Sequence, residues 1–243
     1  MNGAAGTRAD VERALRAVFA AFLHVELPAN MPFCGHCSSA EYMEELRTTP
    51  VMELTDETVF DVVHSLGLTF GSFSDAAHFV PRWCADGLKE PVYEIALAFS
   101  KIVQGGYHDW SQPMVESLRN FLMAQEVDVL RHEPNSDLTS LRNISNVYQC
   151  LASIDSVAQF FSTWESSCGD ATDANLPELV SNIELGSDGR FTMRYSWTDV
   201  KVDQLVAWLR LDRIRPRVER AAARYARHDL LAAPMAAVYA EVV

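Results

Sequence analysis

Residues 91–106 read PVYEIALAFSKIVQGG, and this stretch decides the fold class. Val92, Ile95, Ala96, Phe99, Ile102 and Val103 return at steps of three and four, the spacing of one helix face. Pro91 suits the first turn of that helix, and Gly105-Gly106 suits its end. The same period continues outward. Val11, Ala14, Leu15, Val18, Phe19 and Phe22 form one buried stripe within residues 8–24. Thr55 has the chemistry of an N-cap, followed by Asp56 and Glu57, with Val59, Val62, Val63 and Leu66 as the apolar stripe. Between these two, Ser38-Ser39-Ala40-Glu41 reads as a capping box opening a short helix to Arg47.

Downstream, Ser74 or Asp75 can cap a helix carrying Phe79 and Trp83, in which Pro81 predicts a kink or a late start. Ser111 and Pro113 open a long helix over 111–131. Asp137 and Asp155 read as the starts of helices at 138–152 and 156–167, and residues 176–186 fit another. Helices at 199–211 and 216–228, joined near Pro216, close the chain. Only 190–197 alternates, with Phe191, Met193 and Tyr195 against Thr192, Arg194 and Ser196. A lone strand has nothing to pair with, so an extended loop reads equally well. The expectation is all-α, with about ten helices in successive antiparallel hairpins, globular or curved like a HEAT-type solenoid. One helical domain over 8–233 fits, with 1–7 and 234–243 as flexible termini.

The chain has 243 residues, 49% hydrophobic and 22% charged, a globular composition that needs no disulfides to hold a core. Its five cysteines are an odd number, and Cys84, Cys150 and Cys168 stand alone, a pattern that suits a reducing compartment. Met1 to Asp10 carries no apolar leader, and no run approaches the ~18 apolar residues of a membrane span. A cytoplasmic protein without membrane association is expected, so the Asn143-Ile144-Ser145 sequon has no consequence. The net charge of −13 disfavours nucleic acid. Residues 201–229, however, hold eight Lys/Arg and four Asp/Glu, a net +4 that leaves −17 on the rest. Arg217, Arg220, Arg224 and Arg227 step by three, four and three, which places them on one helix face. That face either pairs with the acidic body or docks an acidic partner.

The stretch with most chemistry is Cys34-Gly35-His36-Cys37. Two thiols three positions apart can share a metal ion or close a disulfide. The second lies close to a helix start, where amide dipoles favour a thiolate. As a metal site the ligands would be Cys34 and Cys37 with His36 or His78, and zinc is the cofactor such a set would take. His24, His64 and Cys84 are further ligands that folding could bring in. The bland reading is that both cysteines are small packing residues. The tetrapeptide is also that of protein disulfide isomerase active sites. That family places it in a strand–helix–strand setting, which is absent from this pattern, and Phe33 stands where it usually has Trp.

Set in its flanks, the first half resembles an uncharacterised bacterial all-helical family. Members share an early Cys-rich motif after the first helix, then a Gly-x-x-x-Asp stretch running into Phe-Leu-Pro-Arg. The matching residues are Cys34, Cys37, Leu46, Pro50, Leu54, Gly71, Asp75, His78-Phe79-Val80-Pro81-Arg82 and Trp110, with Trp208-Leu209 later. The likeness covers roughly residues 20–130 well and the rest loosely. Gly35-His36 stands where others often have Pro and a third Cys, and Cys84-Ala85-Asp86 replaces a more apolar continuation. The resemblance implies the helical fold and no particular activity.

Asp75, His78 and Arg82 can share a helix face as acid, base and anion binder, or as a salt-bridged structural face. His108-Asp109-Trp110 sits in a loop after the paired glycines. No G-x-S-x-G elbow, H-E-x-x-H or P-loop occurs. The leading expectation is a non-enzymatic helical interaction module, a scaffold, an adaptor or a neutralising partner of a basic protein, working with a protein partner or a second copy. The alternative is a metal- or thiol-dependent protein centred on Cys34 and Cys37.

Overall fold

The computed structural model of the protein describes residues 8–89, 91–132, 134, 139–167, 169–188, 190–193 and 201–225. Most helices follow the apolar steps of three and four. In chain order the helices are α1 (Arg8–Phe22), α2 (Ala40–Thr48), α3 (Asp56–Ser65), α4 (Ala76–Gly87), α5 (Ile95–Gln104) and α6 (Gln112–Val129). Then come α7 (Ile144–Ser153), α8 (Val157–Ser166), α9 (Asp170–Ala174) and α10 (Leu176–Ser181). A hairpin of β1 (Ile183–Leu185) and β2 (Phe191–Met193) precedes α11 (Val202–Leu209) and α12 (Arg215–Tyr225). The fold is all-α apart from that hairpin. The termini at 1–7 and 234–243 lie outside the described residues.

Packing is not confined to sequence neighbours. α1 lies along α6 and also against α4, while α7 packs on α5, α6, α8 and α10. A solenoid repeat touches only the next repeat, so of the two expected shapes this is the globular one. One cluster of buried apolar side chains runs from Val11 to Ala221, with Trp83, Trp164, Tyr148, Phe79, Phe99, Phe121 and Phe160 as its largest members.

The stretch at 91–106 is helical, but α5 starts at Ile95 rather than at Pro91. Val92 is 57% exposed and leaves the buried stripe. The reason is Tyr93, which turns inward before the helix begins and donates to Asp86 Oδ2 at 3.1 Å. α4 runs unbroken through Pro81 from Ala76 to Gly87. α7 starts at Ile144, not at 138, because the Asn143 side chain accepts from Ser145 N at 2.8 Å and caps it. Asn143 is fully buried there, so the sequon is closed to modification. Asp137 lies outside the described residues. The alternation at 190–197 does form a strand over 191–193, and its partner is residues 183–185, which the sequence assigned to helix. The register pairs Ile183 with Met193 and Leu185 with Phe191. Residues 194–200 lie outside the described residues.

Candidate functional site

The cysteine motif forms a tight turn just before a helix. Cys37 N donates to Cys34 O at 2.9 Å and Ser38 N to the same oxygen at 3.0 Å. Helix α2 starts only after Ser39, whose hydroxyl accepts from Tyr42 N at 3.1 Å. The cap is therefore Ser39 and not Ser38. This shift by one residue sets Cys37 one position further from the helix start.

The turn is fastened to the loop that follows α3. Cys34 N donates to Thr69 O and Gly71 N to Pro32 O, each at 2.7 Å, and Phe33 and Phe70 form an antiparallel bridge. That loop needs its glycines. Gly67 and Gly71 have φ of +76° and +61°, and a Cβ on Gly67 would strike the Phe73 ring. Tyr42 packs edge-on against Phe70 with ring centres 5.8 Å apart, tying α2 to the same loop. A cleft of about 340 Å³ opens beside the turn, lined by Cys37, Ser38, Ser39, Tyr42, Asp61, Ser65 and Phe70.

Both thiols are free and exposed. They share a hydrogen bond, and it splits their acidity. The Cys37 thiol, aided by the backbone N–H groups of His36 and Cys37, holds Cys34 below its ordinary value. The same bond pushes Cys37 up. Thiolate character thus falls on Cys34, the opposite assignment to the one drawn from the helix start. Among the described residues no three His, Cys, Asp or Glu side chains gather as a set that could hold a metal. The turn supplies two of the four ligands a structural zinc site takes. His36 is exposed. His78 Nδ1 lies 2.7 Å from Val25 O, which ties α4 to the segment after α1, while its Nε2 is buried with no hydrogen-bond partner.

The apolar side chains left in solvent near this turn gave no sequence signal, because single Phe and Leu residues read as core. Phe33 is 41% exposed and Leu68, in the loop that holds the turn, 69%. Phe60 on α3 is 39% exposed and stacks on His64. The segment that follows the turn is acidic, and Asp61 borders the cleft. Between 38 and 65 the chain has Glu41, Glu44, Glu45, Glu53, Asp56, Glu57 and Asp61, against Arg47 alone among Lys and Arg. Arg47 is turned back onto Ala29 O and the Glu44 carboxylate.

The other candidates go separate ways. Asp75 accepts from Ser72 N at 2.7 Å, while Arg82 enters the core. There its guanidinium donates to Asp86, Asp56 and the carbonyls of Met52 and Leu54, so it is structural. His108 joins Tyr107 and Lys201 around Asp155 on the surface, and these partners hold the Asp155 carboxyl below the usual range, Lys201 most of all. Of the arginine stripe, Arg217 docks inward. It lies 2.7 Å from Asp173 and donates to the carbonyls of Trp164 and Ser167. Arg220 reaches the same carboxylate at 3.6 Å but stays 66% exposed. The side chain of Arg224 and all of Arg227 lie outside the described residues.

No helix among the described residues is long and apolar enough to cross a membrane. Comparison with protein-family models, with curated proteins and with solved structures gives no match to this chain.

Proposed function

We propose that this chain is a non-enzymatic protein-interaction module of the cytoplasm, and that its contact face is the cysteine turn with Phe33, Phe60 and Leu68. The observation that carries the reading is the setting of these three side chains. A chain that buries most of its large apolar groups leaves Phe33 on the turn, Leu68 on the loop bonded to it and Phe60 on the helix before that loop exposed. The acidic residues of α2 and α3 select the partner, a basic segment bearing apolar side chains. This is the neutralising-partner form of the module. The basic stripe on α12 is the weaker docking surface, since Arg217 is already bound within the chain. The likeness of residues 20–130 to a bacterial helical family belongs to the same proposal, and it adds no activity.

A fluorescent peptide alternating Lys and Leu is the probe, read by anisotropy. Phe33→Ser with Leu68→Ser changes no charge and should weaken binding about tenfold or more, the scale of losing apolar anchors. Arg220→Glu, outside the face, should leave the affinity unchanged or slightly raise it. If the double variant binds the peptide as the parent does, attraction is only to net charge and the face is wrong.

A further inference from the structure

The turn does more than present apolar groups. A chain reversal closed by Cys37 N on Cys34 O holds its first and fourth Cα atoms within ~7 Å, inside or near the ~4.4–6.8 Å range that a disulfide spans. The two thiols face one another closely enough to hydrogen-bond, and both are open to solvent. Gly35, inside the turn, has open space where a Cβ would stand, so nothing covers the turn from that side. The limb before the turn is fixed by Cys34 N on Thr69 O and Gly71 N on Pro32 O, and the limb after it by Cys37 N and Ser38 N on Cys34 O, so closing the bridge needs rotation of two side chains and little more. Cys37 borders the cleft while Cys34 does not, which distinguishes the two sulfurs by position.

We propose that Cys34 and Cys37 are a thiol–disulfide exchange site, with Cys34 attacking and Cys37 resolving, for disulfides carried on a positively charged chain. The Cys34 thiolate, its proton lost to solvent, attacks one sulfur of R–S–S–R. A Cys34–S–R bond forms, the R–S bond breaks, and R–S⁻ leaves and takes a proton. Cys37 then loses its proton and attacks the Cys34 sulfur. The Cys34–Cys37 bond forms and the second R–S⁻ leaves. The two protein thiols are oxidised by two electrons and the disulfide is reduced to two thiols. The lowered pKa of Cys34 and the raised pKa of Cys37 fit this order of attack. The exchange rests on the turn alone, while the charge preference rests on the acidic contact face proposed above.

The probes are cystamine, a dicationic disulfide, and oxidised glutathione, an anionic one, with intact mass and peptide mapping as the readout. The protein carries Cys168→Ser so that a cysteine outside the described residues does not report. Reduced protein treated with cystamine should lose two hydrogens and map a Cys34–Cys37 bridge. Cys37→Ser should stop at one adduct on Cys34, and Cys34→Ser should react about tenfold or more slowly. Failure to map the bridge, or equal rates in the two single variants, overturns the exchange site. Relative to a free peptide of residues 32–39, the folded protein should favour cystamine over oxidised glutathione, and high salt should erase the difference. A ratio equal to that of the peptide overturns the charge preference while leaving the exchange intact. Loss of Lys–Leu peptide binding in Phe33→Ser/Leu68→Ser, measured separately, reports on the contact face itself.

Discussion

Cys34 and Cys37 carry the same side chain as Cys84 and Cys150 and sit in opposite surroundings. The first two lie in a solvent-exposed turn whose bonds pull Cys34 down. The second two are fully buried on α4 and α7, where burial pushes both thiols up, and negative charge on Cys84 would raise Cys150 further. A thiol's chemistry is set by its neighbours and its access to water, not by its presence in a sequence. The same contrast holds for the polar groups around each pair. At the turn, backbone atoms do most of the holding and the two thiols remain open to solvent. On the buried side of α4, side chains such as Arg82 and Asp86 are themselves the ties.

Chemical access gives the largest separation. In the folded protein, iodoacetamide should modify Cys34 and Cys37 at least ~10³-fold faster than Cys84 and Cys150, which must wait for opening of a domain stable by ~5 kcal/mol or more. Quenched labelling with peptide mapping reads this directly. Labelling of Cys84 in step with the turn would break the comparison.

Stability should divide the two regions in the other direction. Arg82→Ala strands the carboxylate of Asp86, which is 6% exposed, and should cost about 3–5 kcal/mol in urea unfolding. Cys34→Ala with Cys37→Ala should change stability by no more than ~0.5 kcal/mol, as surface substitutions do. A comparable loss in both would mean that the turn is a structural element.

The interior holds one more group that sharpens the contrast. Glu126 on α6 is fully buried, and neither oxygen has a well-formed hydrogen bond. Burial raises it well above 4.5, with the Thr163 hydroxyl opposing in part. Folded, it holds its proton to a higher pH than unfolded, where it gives it up near pH ~4.3. Above that pH the folded state binds more protons than the unfolded one, so this group's contribution falls as pH rises. Glu126→Met should therefore stabilise the protein at pH 7 by about 1–3 kcal/mol, with the gain shrinking towards pH 4. A gain that does not vary with pH would show that Glu126 is not the proton-binding group.

Most of the helices were legible because burial of one face imposes a step of three to four residues. Val59, Val62 and Val63, or Phe99 and Ile102, mark the inner face whatever lies opposite. Helix starts were less legible. Ser38 and Ser39 are chemically equal caps, and Tyr93 reads as helical until Asp86, seven residues earlier, takes its hydroxyl. The short strand at 183–185 was hidden because its pairing with 191–193 is worth little without the body of the protein beneath it. The two cysteines of the site were visible from their spacing. Phe33, Phe60 and Leu68 were not, since an exposed apolar residue and a buried one are the same letter.

By itself, the sequence determined the all-α class, the acidic body with its basic end, and the closeness of two thiols, because period, charge and spacing are local properties of a chain. Tertiary structure decided that the helices close into a globule instead of a solenoid, since α1 returns to α6. It also decided that Arg82 and Arg217 are spent inside the molecule. Each of these depends on which distant groups share a few ångströms of space, and only folding brings those groups together.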